Sequence, residues 1–243
     1  MRATPFGYVF GEMADLTFPA IEAALDQSGA READRDQFVL LEPVAHLLRD
    51  IVPENAGPDI LEAHVLLLHH AFRYWAAHKW IYRIGEPALA RASAQSELTS
   101  QLPRPAFYLQ LPELRVWGSP RPAEPPEPLD GMFVMEAMSG GIGVLAIFGL
   151  RPDRPGFSAV GLEGRADTDD PTASEIEVAA ARDNGSAPFS PILAGGSAAG
   201  LYSVANAGEL LLLVCRLLAL LPRNETPDPP TPPDALEHVV QVD

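Results

Sequence analysis

The stretch Gly131-Met-Phe-Val-Met-Glu-Ala-Met138, Ser139-Gly-Gly-Ile142, Gly143-Val-Leu-Ala-Ile-Phe-Gly-Leu150 decides how this chain folds. A Gly-Gly pair between two apolar runs is the signature of a β-hairpin. The second run, Val144 to Leu150, is apolar without alternation, which predicts a central strand covered on both faces. Downstream, Arg151-Pro-Asp-Arg-Pro-Gly156 reads as a turn into a strand from Phe157 to Leu162. Upstream, Ala106 to Leu111 and Leu114 to Trp117 have strand periodicity and are bounded by Pro or Gly, with a Pro-rich loop from Ser119 to Pro128.

Such a sheet needs helices over its faces. One is predicted from Phe18 to Gln27, with Thr17 as cap and Ser28-Gly29 as stop. A second covers Phe38 to Ile51, its regular part beginning near Glu42 because of Pro43. The longest runs from Ile60 to Ile84, with Asp59 and Glu62 as a capping box and Gly85 and Pro87 closing it, a rod of about 37 Å. The last spans Ala207 to Leu221, capped by Asn206 and Glu209 and stopped by Pro222. The predicted fold is α+β, with N-terminal helices and a C-terminal helix packed on a mainly antiparallel sheet built from residues 106–162. One mixed domain covers residues 1–222: a helical part to 100, the sheet part at 105–162, an acidic loop at 163–190 and the C-terminal helix at 206–221. The remainder, 223–243, reads as a disordered, Pro-rich, acidic tail.

With 47% apolar residues in 243, the chain has enough material for a core. Its 33 acids against 17 bases give a net charge of −16, which repels phosphate backbones and anionic lipid and argues against direct nucleic-acid binding. The stretches Glu163 to Asp183 and Arg223 to Asp243 carry −9 of that charge and read as solvated segments. A single cysteine, Cys215, rules out an internal disulfide and sits in an apolar helix. The N-terminus lacks the apolar stretch of a signal peptide, and the last helix is shorter than a membrane span and broken by Arg216; a cytoplasmic location without a membrane span is expected. One lysine against sixteen arginines, with abundant Ala and Pro, suggests a GC-rich bacterial genome.

Residues able to carry chemistry are few. Four of the six histidines, His64, His69, His70 and His78, fall on the long helix. No two stand at the i, i+4 spacing of helical zinc pairs: His64 and His69 differ by about 140° around the axis, and His69 and His70 by about 100°. No metal site and no cofactor is predicted. Glu62, Leu66, His69 and Arg73 do share one face, and a polar row on an apolar helix must meet water, a polar partner or a ligand. Glu62, His69 and Arg73 are therefore the candidate walls of a ligand site.

Gly195-Gly-Ser197-Ala-Ala199 loosely follows a nucleophile elbow, but the one downstream histidine, His238, lies beyond a Pro-rich linker. Gly140-Gly141-Ile142-Gly143 lacks the P-loop ending, and Asp167-Thr-Asp169-Asp170 lacks the EF-hand spacing. No catalytic residue is assigned. More distinctive is Ala235-Leu-Glu-His-Val-Val-Gln-Val-Asp243, a β-branched stretch after a polyproline segment. A tethered peptide of this kind can add a strand to a sheet edge or dock in a groove, which makes Leu236, Val239 and Val240 candidate partner-binding residues.

These observations favour a non-catalytic protein-binding, assembly or adaptor protein, acting on a protein partner or by self-association. A small-molecule binder or enzyme with a polar pocket beside the helix at 60–84 comes next. An acidic inhibitor that mimics nucleic acid is the third reading.

Overall fold

The computed structural model describes residues 6, 7, 10–28, 35–52, 54, 57–118, 126–137, 140–150, 158–164, 171–176, 202–203, 207–223 and 238–243. Within them lie helices α1 (Gly11–Ser28), α2 (Arg35–Val39), α3 (Glu42–Ile51), α4 (Pro58–Ala76), α5 (Glu86–Ala94) and α6 (Ala207–Leu218). The strands are β1 (Trp80–Ile84), β2 (Ala106–Gln110), β3 (Val116–Gly118), β4 (Glu127–Glu136), β5 (Ile142–Phe148), β6 (Ser158–Gly164), β7 (Tyr202–Ser203) and β8 (His238–Val242). The fold is α+β, built on an eight-stranded mixed sheet of order β6-β5-β4-β2-β1-β8, with β3 beside β4 and β7 beside β3.

The hairpin between β4 and β5 pairs Glu136 with Ile142, and its turn uses Gly140 at φ 79°, a backbone that glycine adopts without strain. Every residue of β5 is buried, in keeping with its unbroken apolar run. Midway along β4 the register shifts between Leu129 and Gly131. The buried Asp130 at this bulge accepts the Leu150 amide at 2.6 Å through its carboxylate and the Leu111 amide at 3.0 Å through its carbonyl. The bulge thus joins the ends of β2 and β5.

Strand alternation divides the core into two. Tyr82, Ile84, Phe107, Leu109, Val134, Val144 and Ala146 share one apolar cluster with α5 and α6. Ile81, Tyr108, Phe133, Leu145 and Ile147 point the other way, into a cluster with α1 to α4. The sheet is therefore the middle of three layers, and α6, buried along nearly its whole length, is a core helix.

Helix α1 begins at Gly11, so Thr17, read as its cap, lies inside it with Pro19, and the helix read from Phe38 to Ile51 is divided into α2 and α3. Three further elements differ from the sequence reading. The predicted helix from Ile60 to Ile84 begins at Pro58, with Gly57 as cap in place of Asp59, and ends at Ala76. His78 and Lys79 take φ of 64° and 55°, and their amides return to Trp75 and Tyr74 at 3.0 Å, closing the helix and turning the chain into β1. Aromatic and β-branched Trp80, Ile81, Tyr82 and Ile84 then gain burial on alternating faces, which a helix could not give them. Second, Gly85 and Pro87, read as a stop, begin α5: glycine is its cap and proline lies in its first turn, where the missing N–H costs nothing. Third, residues 238–242, placed in a disordered tail, form β8, and with β1 they extend the sheet beyond 106–162 on a parallel flank. The polyproline stretch, Gly195 to Ala199 and Asp167 to Asp170 lie outside the described residues.

Candidate partner-binding site

The parallel flank of the sheet brings together two segments far apart in the sequence, Trp80–Ile84 and His238–Val242. Strand β8 pairs with β1 in five register steps, from Trp80 with His238 to Ile84 with Val242. His238 donates its amide to Lys79 at 3.0 Å, and Val242 accepts the Gly85 amide at 2.7 Å. In a parallel ladder the main-chain groups of alternate residues point to opposite sides. Those of His238, Val240 and Val242 therefore face β1, and those of Val239 and Gln241 face outward, where no described strand pairs with them.

Side chains alternate too. Val242 is buried in the cluster with α5 and α6, Val240 is half-buried against it, and Val239 is 36% exposed. At the first step the His238 ring stacks on the Trp80 indole, with centroids 4.8 Å apart and planes at 26°. The guanidinium carbon of Arg104, a buried residue, lies 3.8 Å from the Trp80 ring centroid, a cation–π contact. At the far end Arg91 of α5 donates to the main-chain oxygen of Asp243, and Gln241 Nε2 donates to Asp243 Oδ1 at 3.1 Å. A Cβ placed on Gly85 would stand only 2.7 Å from Asp243 Oδ1 and 3.2 Å from the Val242 carbonyl, so a glycine here lets the strand approach.

Of the residues singled out from sequence, Val239 and Val240 lie in β8, and Leu236 lies outside the described residues. The side chain of Glu62 is likewise outside them, so its relation to His69 and Arg73 is not described. His69 is buried, its ring edge-on to Phe38 at 5.0 Å and to His70 at 5.9 Å; Arg73 is half-buried one turn on.

His70 places Nδ1 2.8 Å from the Leu66 carbonyl, so Nδ1 carries the proton and Nε2, with no hydrogen-bond partner, holds a buried lone pair. Burial, then the charge on His69 and finally that on Arg73 push its pKa down to about 3, against the opposing Leu66 bond. Burial also pushes the Cys215 thiol up to about 12, which leaves it a protonated, unreactive core residue. Among the described residues no group of three His, Cys, Asp or Glu is placed to hold a metal ion, and no helix is long and apolar enough to cross a membrane.

Trp80, Gly85, Arg91, Arg104 and His238 were not singled out as members of this flank. What the sequence offers is composition alone: Trp80-Ile-Tyr-Arg-Ile84 and His238-Val-Val-Gln-Val242 are short aromatic or β-branched stretches, and nothing in either marks the other as its partner.

No protein-family model and no curated protein sequence matches the chain. Among solved structures three chains match, one of them AcrVA2, at 14% identity and a TM-score of 0.40 over 70% of this chain. The match spans 59% of that protein's length.

Proposed function

We propose that this chain is a non-catalytic protein-binding or assembly protein that holds an extended peptide segment against the β1 flank of its sheet. The observation that supports this is the β1 to β8 pairing: a peptide from the far end of the sequence adds to the flank through main-chain hydrogen bonds, with alternate side chains half-buried or buried. That is the physics of strand addition, in which the backbone supplies affinity and the buried side chains supply selectivity. Half-buried Val240 and buried Val242 provide the inward contacts, Val239 faces outward, and Leu236 would extend the contact on the N-terminal side. The same segment on a second copy, or a similar one on a partner, fits the same flank. The pocket reading around Glu62, His69 and Arg73 has less support, since the His69 ring is already packed on Phe38.

The test uses the full chain with Val240→Asp and Val242→Asp, which frees β1 without removing any segment. A fluorescent peptide of residues 235–243 is titrated in, and its polarisation is followed. Saturable binding that the unlabelled peptide reverses supports the reading. Absence of binding, with the helical circular dichroism of the parent chain retained, removes it.

A further inference from the structure

The β1 flank has a different wall at each step, and those walls define the segment it accepts. Resting on the strand-addition reading, we propose that the flank selects an extended segment running parallel to β1 with the order flat ring, any residue, aliphatic, any residue, aliphatic, acid, and that β8 is the resident copy of that pattern.

The first position is set by Trp80. Its indole carries the stacked His238 ring and the Arg104 guanidinium, the latter 6% exposed. A cation held so far from water repels a second one, so lysine or arginine is disfavoured here. Both Trp80 Nε1 and His238 Nε2 are buried without hydrogen-bond partners. The slot thus offers a flat π surface with nothing to satisfy the outer imidazole nitrogen, and a ring without that nitrogen fits better than histidine.

Positions three and five are those of Val240 and Val242, which meet the cluster containing Tyr82, Ile84 and Leu89. Positions two and four, Val239 and Gln241, face solvent and select nothing. At position six the chain meets the start of α5. The Gly85 amide holds the preceding carbonyl, Arg91 holds the main-chain oxygen of Asp243, and the Asp243 carboxylate occupies the space that a side chain at 85 would take. The positive end of the α5 dipole and the Arg91 charge both favour an acid there.

The experiment titrates a panel of peptides into the full chain carrying Val240→Asp and Val242→Asp. The panel is the parent sequence 235–243 and its His238→Phe, His238→Lys, Val239→Lys, Val242→Asp and Asp243→Lys forms. Phenylalanine should tighten binding about fivefold or more, since an unpaired buried polar atom is removed. Lysine at 238 and aspartate at 242 should each weaken it about tenfold or more, and lysine at 243 about fivefold. Lysine at 239 should change it less than about twofold. Equal affinity across the panel overturns the pattern and leaves strand addition standing; no binding by any peptide removes both.

A second series needs no added peptide: His238→Phe, His238→Lys and Val239→Lys are introduced into the otherwise unaltered chain, and amide hydrogen exchange is followed over residues 238–242. Exchange slower than the parent for phenylalanine, faster for lysine at 238 and unchanged for lysine at 239 supports the pattern. Any other order overturns it.

Discussion

The Gly85 amide donates to the Val242 carbonyl at 2.7 Å, which ties the start of α5 to the last step of the β1 to β8 ladder. The close approach depends on the missing side chain, because a Cβ at 85 would press on the Val242 carbonyl at 3.2 Å and on Asp243 Oδ1 at 2.7 Å. The Asp243 carboxylate can swing aside; the carbonyl cannot move without losing its bond. Gly85→Ala should therefore loosen β8 slightly, and Gly85→Val should release it. Amide exchange is the measurement. In Gly85→Val, exchange in β8 should rise about tenfold or more while that of β4 and β5 stays unchanged. Undiminished protection of β8 would mean that this approach does not hold the strand.

What the sequence made legible follows from how local each signal is. The hairpin of β4 and β5 and the buried helix α6 are encoded in their own residues: Gly140 supplies the turn, Ile142 to Phe148 has no polar position, and Leu210 to Leu218 is nearly all apolar. The turn at His78 and Lys79 has no such local mark, since neither is a glycine and the apolar run continues through Trp80 and Ile81. Only the two cores, which take Ile81 on one side and Tyr82 on the other, make that segment a strand. Of the candidate flank, the β-branched run at Val239 and Val240 was readable as something that docks. Its receptor was not, because strand pairing between segments so far apart in the sequence leaves no local signal.

The helix-to-strand turn itself can be tested at His78, which holds φ at 64°. A left-handed backbone costs a side chain about 1–2 kcal/mol, more for a β-branched residue and less for asparagine. His78→Val should lower unfolding free energy by about 1–2 kcal/mol relative to His78→Asn in urea denaturation. Equal stability of the two variants would show that the turn relaxes to another backbone.

Two strand glycines should respond to different degrees. A Cβ on Gly131 would lie 2.3 Å from the Leu109 carbonyl oxygen and 2.5 Å from the Tyr108 hydroxyl, and the carbonyl belongs to the β2 backbone in mid-sheet. On Gly143 it would press only on the Met135 side chain, at 3.3 Å, which can rotate away, and would meet the Met135 carbonyl oxygen at an ordinary 3.6 Å. Gly131→Ala should destabilise by about 1–3 kcal/mol, and Gly143→Ala should stay within about 1 kcal/mol of the parent. Denaturation midpoints at constant slope decide it, and similar losses in both would refute the distinction between backbone and side-chain crowding.

Acid should destabilise the fold through His70. In the folded chain its pKa is lowered to about 3 from an ordinary 6.5, first by burial. When pH falls through 6.5 the unfolded chain takes up a proton that the folded chain refuses until about 3. The stability contributed by the neutral imidazole is thus fully present above 6.5 and is lost as pH falls towards 3. The slope is about 1.4 kcal/mol per pH unit once the unfolded histidine is protonated. His70→Phe cannot titrate and keeps the ring volume against His69, so its stability should fall less steeply with acid. Between about pH 6 and pH 4.5, before most carboxylates protonate, the difference between parent and variant should change by more than about 1 kcal/mol, in the direction that favours the variant. Parallel stability curves over that window would mean that His70 is as free to protonate in the folded chain as in the unfolded one, and that its burial among α4 and its neighbours is not what the geometry of Leu66, His69 and Arg73 requires.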